Sequence, residues 1–241
     1  YYTGFLLRLF HNTLHYSWHY LCGNVETKIK SSFKWLGQIL SSGGLSESVA
    51  ATVAAREGKI WGACLEICQI VNDWRAKTAG GMETALLLWE ACCLPSLLNG
   101  AGTWTELSKQ TEKKLNQIQY WFLRLILQVG PGAPLASLLW DSALLEVGQR
   151  VQIEKILLVI HIRSLEENTL ASKIYMEQKA LNLPGLAAET SNICKSLNIE
   201  DCNSTTLSKC DYKKLLLSAC HLKNEERLRL LAVGKCERIT R

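Results

Sequence analysis

METALLLWEACCLPSLLNGAGTW (82–104), a polar step at Thr105–Thr111, then EKKLNQIQYWFLRLILQ (112–128) form the stretch that decides the architecture. In the second half the apolar side chains fall at Leu115, Ile118, Phe122, Leu125 and Ile126. Spacing of i, i+3, i+7, i+10 and i+11 is one face of a helix of period about 3.6. Lys109, Lys113, Lys114 and Gln117 fall mostly off that face and mark its wet side. The first half is apolar nearly all round from Ala85 to Leu98, broken only by Glu90, and predicts a helix buried on several sides. Two such segments in succession make the centre of a helical domain.

The rest of the chain fits that centre. Its 241 residues hold one large domain or two small ones and can bury a real core. Apolar residues at 48% and charged residues at 20% exclude a disordered chain, and only 4 Pro favour helix throughout. The net charge of +5 permits a polyanionic partner without arguing for one. It is unevenly spread: Tyr1–Gly44 carries +3 and Asn203–Arg241 carries +5, leaving −3 between them. Nucleic-acid contact would therefore use the ends or selected faces.

Outward from the centre, Lys28–Leu40 (KIKSSFKWLGQIL) gathers the β-formers Ile29, Phe33, Trp35 and Ile39 and reads as a strand or hairpin, with Gly43–Gly44 as a turn. Ser46 with Glu47 is a fair helix start, and a helical run follows through Ala76, with Val49, Val53, Ile60, Leu65, Ile67 and Ile70 apolar, ended by Gly80–Gly81. Gly130-Pro-Gly-Ala-Pro134 is a break, and 135–149 is short helix or irregular. Val151–Leu165 predicts a buried helix in which His161 reads as a core histidine. Leu170–Leu181 and Leu186–Leu197 are shorter helices, and a helix after Ser208-x-x-Asp211 ends in basic residues. Tyr1–Thr27, rich in aromatics and His, reads as a docking segment or as sequence foreign to the domain. The first residue is Tyr instead of Met, which suggests a fragment of something longer.

Several chemistries are excluded by residue supply. The four Asp (Asp73, Asp141, Asp201, Asp211) offer no local pair for a two-metal site, whose ions sit about 4 Å apart. There is no GxxxxGK[ST] loop, GxSxG elbow or HExxH. His11, His15 and His19 would share a helical stripe, but no acid completes a site and Cys22 alone is near. Cys194, Cys202, Cys210, Cys220 and His221 match no finger or knuckle spacing, and the 10 Cys read as free thiols of a reducing compartment. The most apolar run, Thr84–Trp104, is interrupted by Glu90, Pro95 and Asn99, so no membrane span is expected.

A series of short strings in order carries a resemblance. FKWLG (33–37), LPSLLNGAGTW (94–104), KLNQIQYWFLRLIL (114–127), PLASLLWDSALLEVG (134–148), QIEKILLVIHI (152–162) and SKIYMEQK (172–179) resemble the C-terminal part of reverse transcriptases from non-long-terminal-repeat retrotransposons. The likeness covers about Lys28 to Arg241. FKWLG is similar to the hydrophobic-Leu-Gly hairpin that closes the palm and grips the primer end. LPSLLNGAGTW is similar to a Pro-x-Leu-Leu-Tyr-Gly-x-Glu-x-Trp string, with Asn99 and Gly102 at the Tyr and acidic positions. Gln149–Lys155 lacks the family's double Arg, and the palm with its aromatic-x-Asp-Asp motif has no counterpart here.

The resemblance implies a mainly α, bundle-like fold with one short β-hairpin near 29–40. It divides the chain into an unassigned leader (1–27), a palm-end hairpin (28–44), a thumb-like region (45–129) and a C-terminal helical region (130–241). It implies a non-catalytic fragment of an RNA-directed DNA polymerase that positions an RNA–DNA template-primer through backbone phosphates. Lys34 and Gly37 in the hairpin, Arg56 and Lys59 on a thumb helix, and Arg124 would make those contacts. Trp35 would either rest against a sugar or base or be buried; Arg56 and Lys59 would either meet phosphate or form a solvated face. No catalytic residue, metal or cofactor is expected in this chain, although the parent polymerase would use Mg. No membrane or small-molecule substrate is expected, and the setting would be intracellular, nuclear or cytoplasmic. The alternative is a helical protein–protein module without nucleic-acid binding, presenting Trp121 and Phe122 to a groove.

Overall fold

The computed structural model describes residues 21–22, 25–26, 32–35, 37–75, 80–104, 107–181, 183–202 and 207–239. The histidine stripe of the leader lies outside them. Two short antiparallel ladders come first: β1 (Leu21–Cys22) with β2 (Val25–Glu26), and β3 (Ser32–Trp35) with β4 (Gln38–Ser41). The second is the expected hairpin, closed where Trp35 faces Gln38. The described elements after it are all helical: α1 (Leu45–Arg75), α2 (Gly81–Leu88), a π-helical turn (Trp89–Cys93), α3 (Leu94–Leu98), a 3₁₀ turn (Ala101–Thr103) and α4 (Lys109–Leu127). Then follow α5 (Leu135–Ser142), α6 (Val147–Ser164), α7 (Leu170–Ala180), α8 (Leu186–Ser196) and α9 (Lys209–Ile239). The fold is mainly α.

Local chemistry explains the ends. Ser108 caps α4 by accepting the Thr111 N–H at 3.1 Å, and Gln128 ends it at φ 54°. Glu146 and Gln149 form a reciprocal capping box, so α6 begins at Val147 and not at Val151. Glu90 and Pro95 do not interrupt the central apolar run. Pro95 lacks an N–H and its ring crowds the preceding turn; the wider π turn just before it absorbs the misfit, with the Leu94 N–H bonded to the Trp89 carbonyl. Only Asn99 ends the helix, and Gly80 stands at the N-cap of α2. Gly81–Leu98 has the length and hydropathy to cross a membrane, although Ala85, Trp89, Cys93, Leu94 and Leu97 are buried within the fold.

Two apolar clusters form the core. The first joins α1 through α5 around Val53, Cys64, Trp89, Leu97, Leu115 and Phe122, with Trp89 stacked on Phe122 at 4.9 Å. Burying one such ring stabilises by about 2–3 kcal/mol. The second joins α6 to α9 around Ile153, Ile156, Tyr175, Cys194, Tyr212 and Leu216. α6 is the shared wall: Val147 and Val151 belong to the first cluster, Ile153 and Ile156 to the second. The helix rests on the 3₁₀ turn so closely that a Cβ on Gly102 would lie 3.0 Å from the Glu154 carbonyl oxygen.

Periodicity misleads in a few places. Leu65 and Ile70, two of the apolar positions named in the α1 run, are exposed. His161 is exposed near the end of α6, because the buried face has rotated away by the last turn.

Candidate functional site

The hairpin is fastened to α1 by a polar stripe. Ser48, Thr52 and Arg56 stand at i, i+4 and i+8, one above another on the same face. Ser48 Oγ accepts the Ser41 N–H at 2.8 Å while donating to the Gly44 carbonyl at 2.7 Å. Thr52 Oγ1 accepts the Ile39 N–H at 2.8 Å. The unpaired edge of β4 is thus closed by helix hydroxyls instead of another strand.

Arg56 completes the row. Its Nη2 donates to the Gly37 carbonyl at 2.8 Å, and its Nη1 donates to the Leu97 and Asn99 carbonyls at 2.9 and 2.8 Å. The guanidinium also lies 5.8 Å from the centre of the Trp104 ring. Burial pulls its pKa below the ordinary value, because the charged form gives up water. Arg56 therefore ties the hairpin turn to the end of α3, a role neither phosphate contact nor a solvated face anticipates. Gly37 is left-handed at φ 81°, a conformation that favours glycine, and its carbonyl is the one Arg56 holds. Gln38 reaches Thr103 at 3.5 Å from the same turn.

The other charges expected to touch nucleic acid divide. Lys34 on β3 and Lys59 on α1 are exposed. Arg124 is half-buried on α4, its Nη2 donating to the Ala133 carbonyl at 3.4 Å. The side chain of Trp35 lies outside the described residues. The seam therefore brings Gly37 and Arg56 together, with Lys34 on the neighbouring strand and Lys59 less than one turn beyond Arg56 on α1; Arg124 lies on a different helix. The sequence reading missed Ser48, Thr52, Asn99 and Trp104 as parts of this site. Hydroxyls every fourth residue on one helical face, in phase with an arginine, were the available signal.

Trp121 and Phe122 do not stand out together as a surface for a partner's groove. Phe122 is fully buried on Trp89, and Trp121 packs edge-on against Trp61 of α1 at 4.0 Å. A shallow notch of about 150 Å³ lies instead between α5 and α9, lined by Trp140, Leu144, His221, Asn224 and Arg227.

Two thiol pairs lie inside the clusters. Cys64 and Cys93 hydrogen-bond within the first, which raises the former's pKa and lowers the latter's. Cys194 and Cys202 do so in the second: the hydrogen bond from Cys202 pulls the Cys194 pKa down, and donating it pushes Cys202 up. Among the described residues, Cys194, Asp201 and Cys202 are the group of three whose metal-ligating atoms converge, all within 4.8 Å of one another.

Compared with protein-family models, curated proteins and solved structures, the chain gives no match.

Proposed function

We propose that this chain is the primer-end hairpin and following helical region of a retrotransposon-type RNA-directed DNA polymerase, and that it holds an RNA–DNA duplex by its phosphates. The observation that carries the reading is the hairpin seam. A Gly-closed turn is locked to a long helix by Ser48, Thr52 and Arg56, while Lys34 stays exposed on its outer strand. A turn fixed in this way suits a part that orients a nucleic-acid end, since a loose loop would lose its position to entropy. Lys34 and Lys59 supply the phosphate contacts, and Arg56 and Gly37 give the turn its shape. The isolated chain carries no carboxylate engine in this reading and extends no primer.

The test is fluorescence anisotropy with an RNA–DNA hybrid across a salt series. Log affinity should fall with log salt, and Lys34→Ala with Lys59→Ala should flatten that slope by up to about two. A hybrid that binds with a salt slope unchanged by the double variant contradicts the assignment of those lysines. Absence of binding favours the protein–protein module, for which the notch beside exposed Trp140 is the surface to probe.

A further inference from the structure

We propose that Cys194, Asp201 and Cys202 form a binding site for a thiophilic divalent cation, zinc foremost. α8 ends at Ser196, and Asn198 turns left-handed at φ 53°. The Ile199 N–H then bonds back to the Cys194 carbonyl at 3.1 Å. This tight helix exit folds residues 199–202 over the last turn of α8 and sets Cys202 beside Cys194, although seven residues separate them in sequence.

Three ligand atoms, two sulfurs and one carboxylate oxygen, lie within 4.8 Å of one another. A slight contraction brings them to a shell with Zn–S near ~2.3 Å and Zn–O near ~2.0–2.2 Å. Both cysteines are fully buried, and the carboxylate is half-buried. Soft thiolates select zinc over magnesium or calcium, and three protein ligands leave a fourth position for water.

The surroundings suit an ion. Ser191 Oγ donates to Asp201 Oδ2 at 3.0 Å, orienting the carboxylate as outer-shell partners of metal ligands do. The Tyr212 hydroxyl lies 3.6 Å from Cys194 Sγ and donates to the Glu200 carbonyl, so it braces the loop that carries two of the ligands. Two thiolates, a carboxylate and a divalent cation sum to a single negative charge. Arg163, whose Nη1 donates to the Cys202 carbonyl, supplies positive charge on that side. Among the described residues no carboxylate converges on the Cys64–Cys93 pair, which provides an internal contrast.

The experiment uses the full chain, reduced and stripped of metal with a chelator, then titrated with zinc against a chromophoric competitor and with Co(II) read by absorbance. The expected result is one equivalent of zinc per chain and a thiolate-to-cobalt charge-transfer band. Asp201→Asn and Cys202→Ala should abolish stoichiometric binding. Ser191→Ala should weaken it by about 10-fold or more, and Cys93→Ala should leave it unchanged. Circular dichroism reports the fold of each variant; if Cys202→Ala fails to fold, Asp201→Asn and Ser191→Ala decide. No equivalent bound by folded wild type overturns the proposal. So does an equivalent that survives Asp201→Asn and Ser191→Ala, or one that Cys93→Ala removes.

Discussion

The hairpin seam and the Cys194 pocket both bring polar groups under cover, but they are assembled differently. The seam is a single helical stripe, Ser48–Thr52–Arg56, meeting the strand and loop segments beside it. The pocket collects α8, its exit loop, α6 through Arg163 and α9 through Tyr212. A stripe tolerates loss of one member, because its neighbours keep the hairpin in place. A pocket drawn from several elements depends on each of them. The seam therefore makes graded predictions, and the pocket should behave as a unit.

Urea unfolding midpoints at constant m-value put this contrast on a scale. The benchmark is Phe122→Ala, which opens a cavity against Trp89 and should cost about 3–5 kcal/mol. Arg56→Ala should come next within the seam, at about 2–3 kcal/mol, because three carbonyls lose their donor. Arg56→Lys should recover little of it, since one ammonium cannot reproduce the guanidinium fork across two loops. If Arg56→Ala proves neutral, the guanidinium does not hold the turn.

Thr52→Val should cost about 1–2 kcal/mol by leaving the Ile39 N–H without its acceptor. On the pocket side, Tyr212→Phe removes a hydroxyl that donates to the Glu200 carbonyl and should cost about 1 kcal/mol. Its sharper consequence would be faster alkylation of Cys194 and Cys202 together. Alkylation of one without the other would break the view of the pocket as a unit. The smallest expected effect belongs to Lys34→Ala with Lys59→Ala, within about 0.5 kcal/mol of wild type, since both are exposed. Thiol labelling of the native chain adds a check on burial: exposed Cys92 and Cys210 should react before buried Cys64, Cys68, Cys93, Cys194, Cys202 and Cys220.

What could be read in advance follows the same division. The α4 face was legible because Leu115, Ile118, Phe122 and Ile126 repeat at helical spacing and are all buried. The hairpin was legible from its β-formers and from Gly37. Periodicity failed where geometry departs from an ideal helix: the π turn at Trp89–Cys93 carries Pro95 through a run that local rules would break. Apolar residue type failed again on the outer face of a packed helix: Leu65 and Ile70 point to solvent while Cys64, Ile67, Cys68 and Val71 beside them are buried, and His161 is exposed at the end of α6. At the candidate site, residue type suggested charge on Arg56, but its carbonyl partners lie 19 to 43 positions away and no local pattern announces them. The Cys194–Cys202 pair escaped for a related reason. Its spacing fits no motif, and only the left-handed turn at Asn198 brings the two sulfurs together.

Amide hydrogen exchange of the full chain, with and without an RNA–DNA hybrid at low salt, tests the central claim most directly. The account predicts that the hybrid slows exchange in residues 32–41 and in the first half of α1, and leaves the notch beside Trp140 unchanged. Protection confined to α5 and α9, or none anywhere at hybrid concentrations that saturate binding, would contradict it.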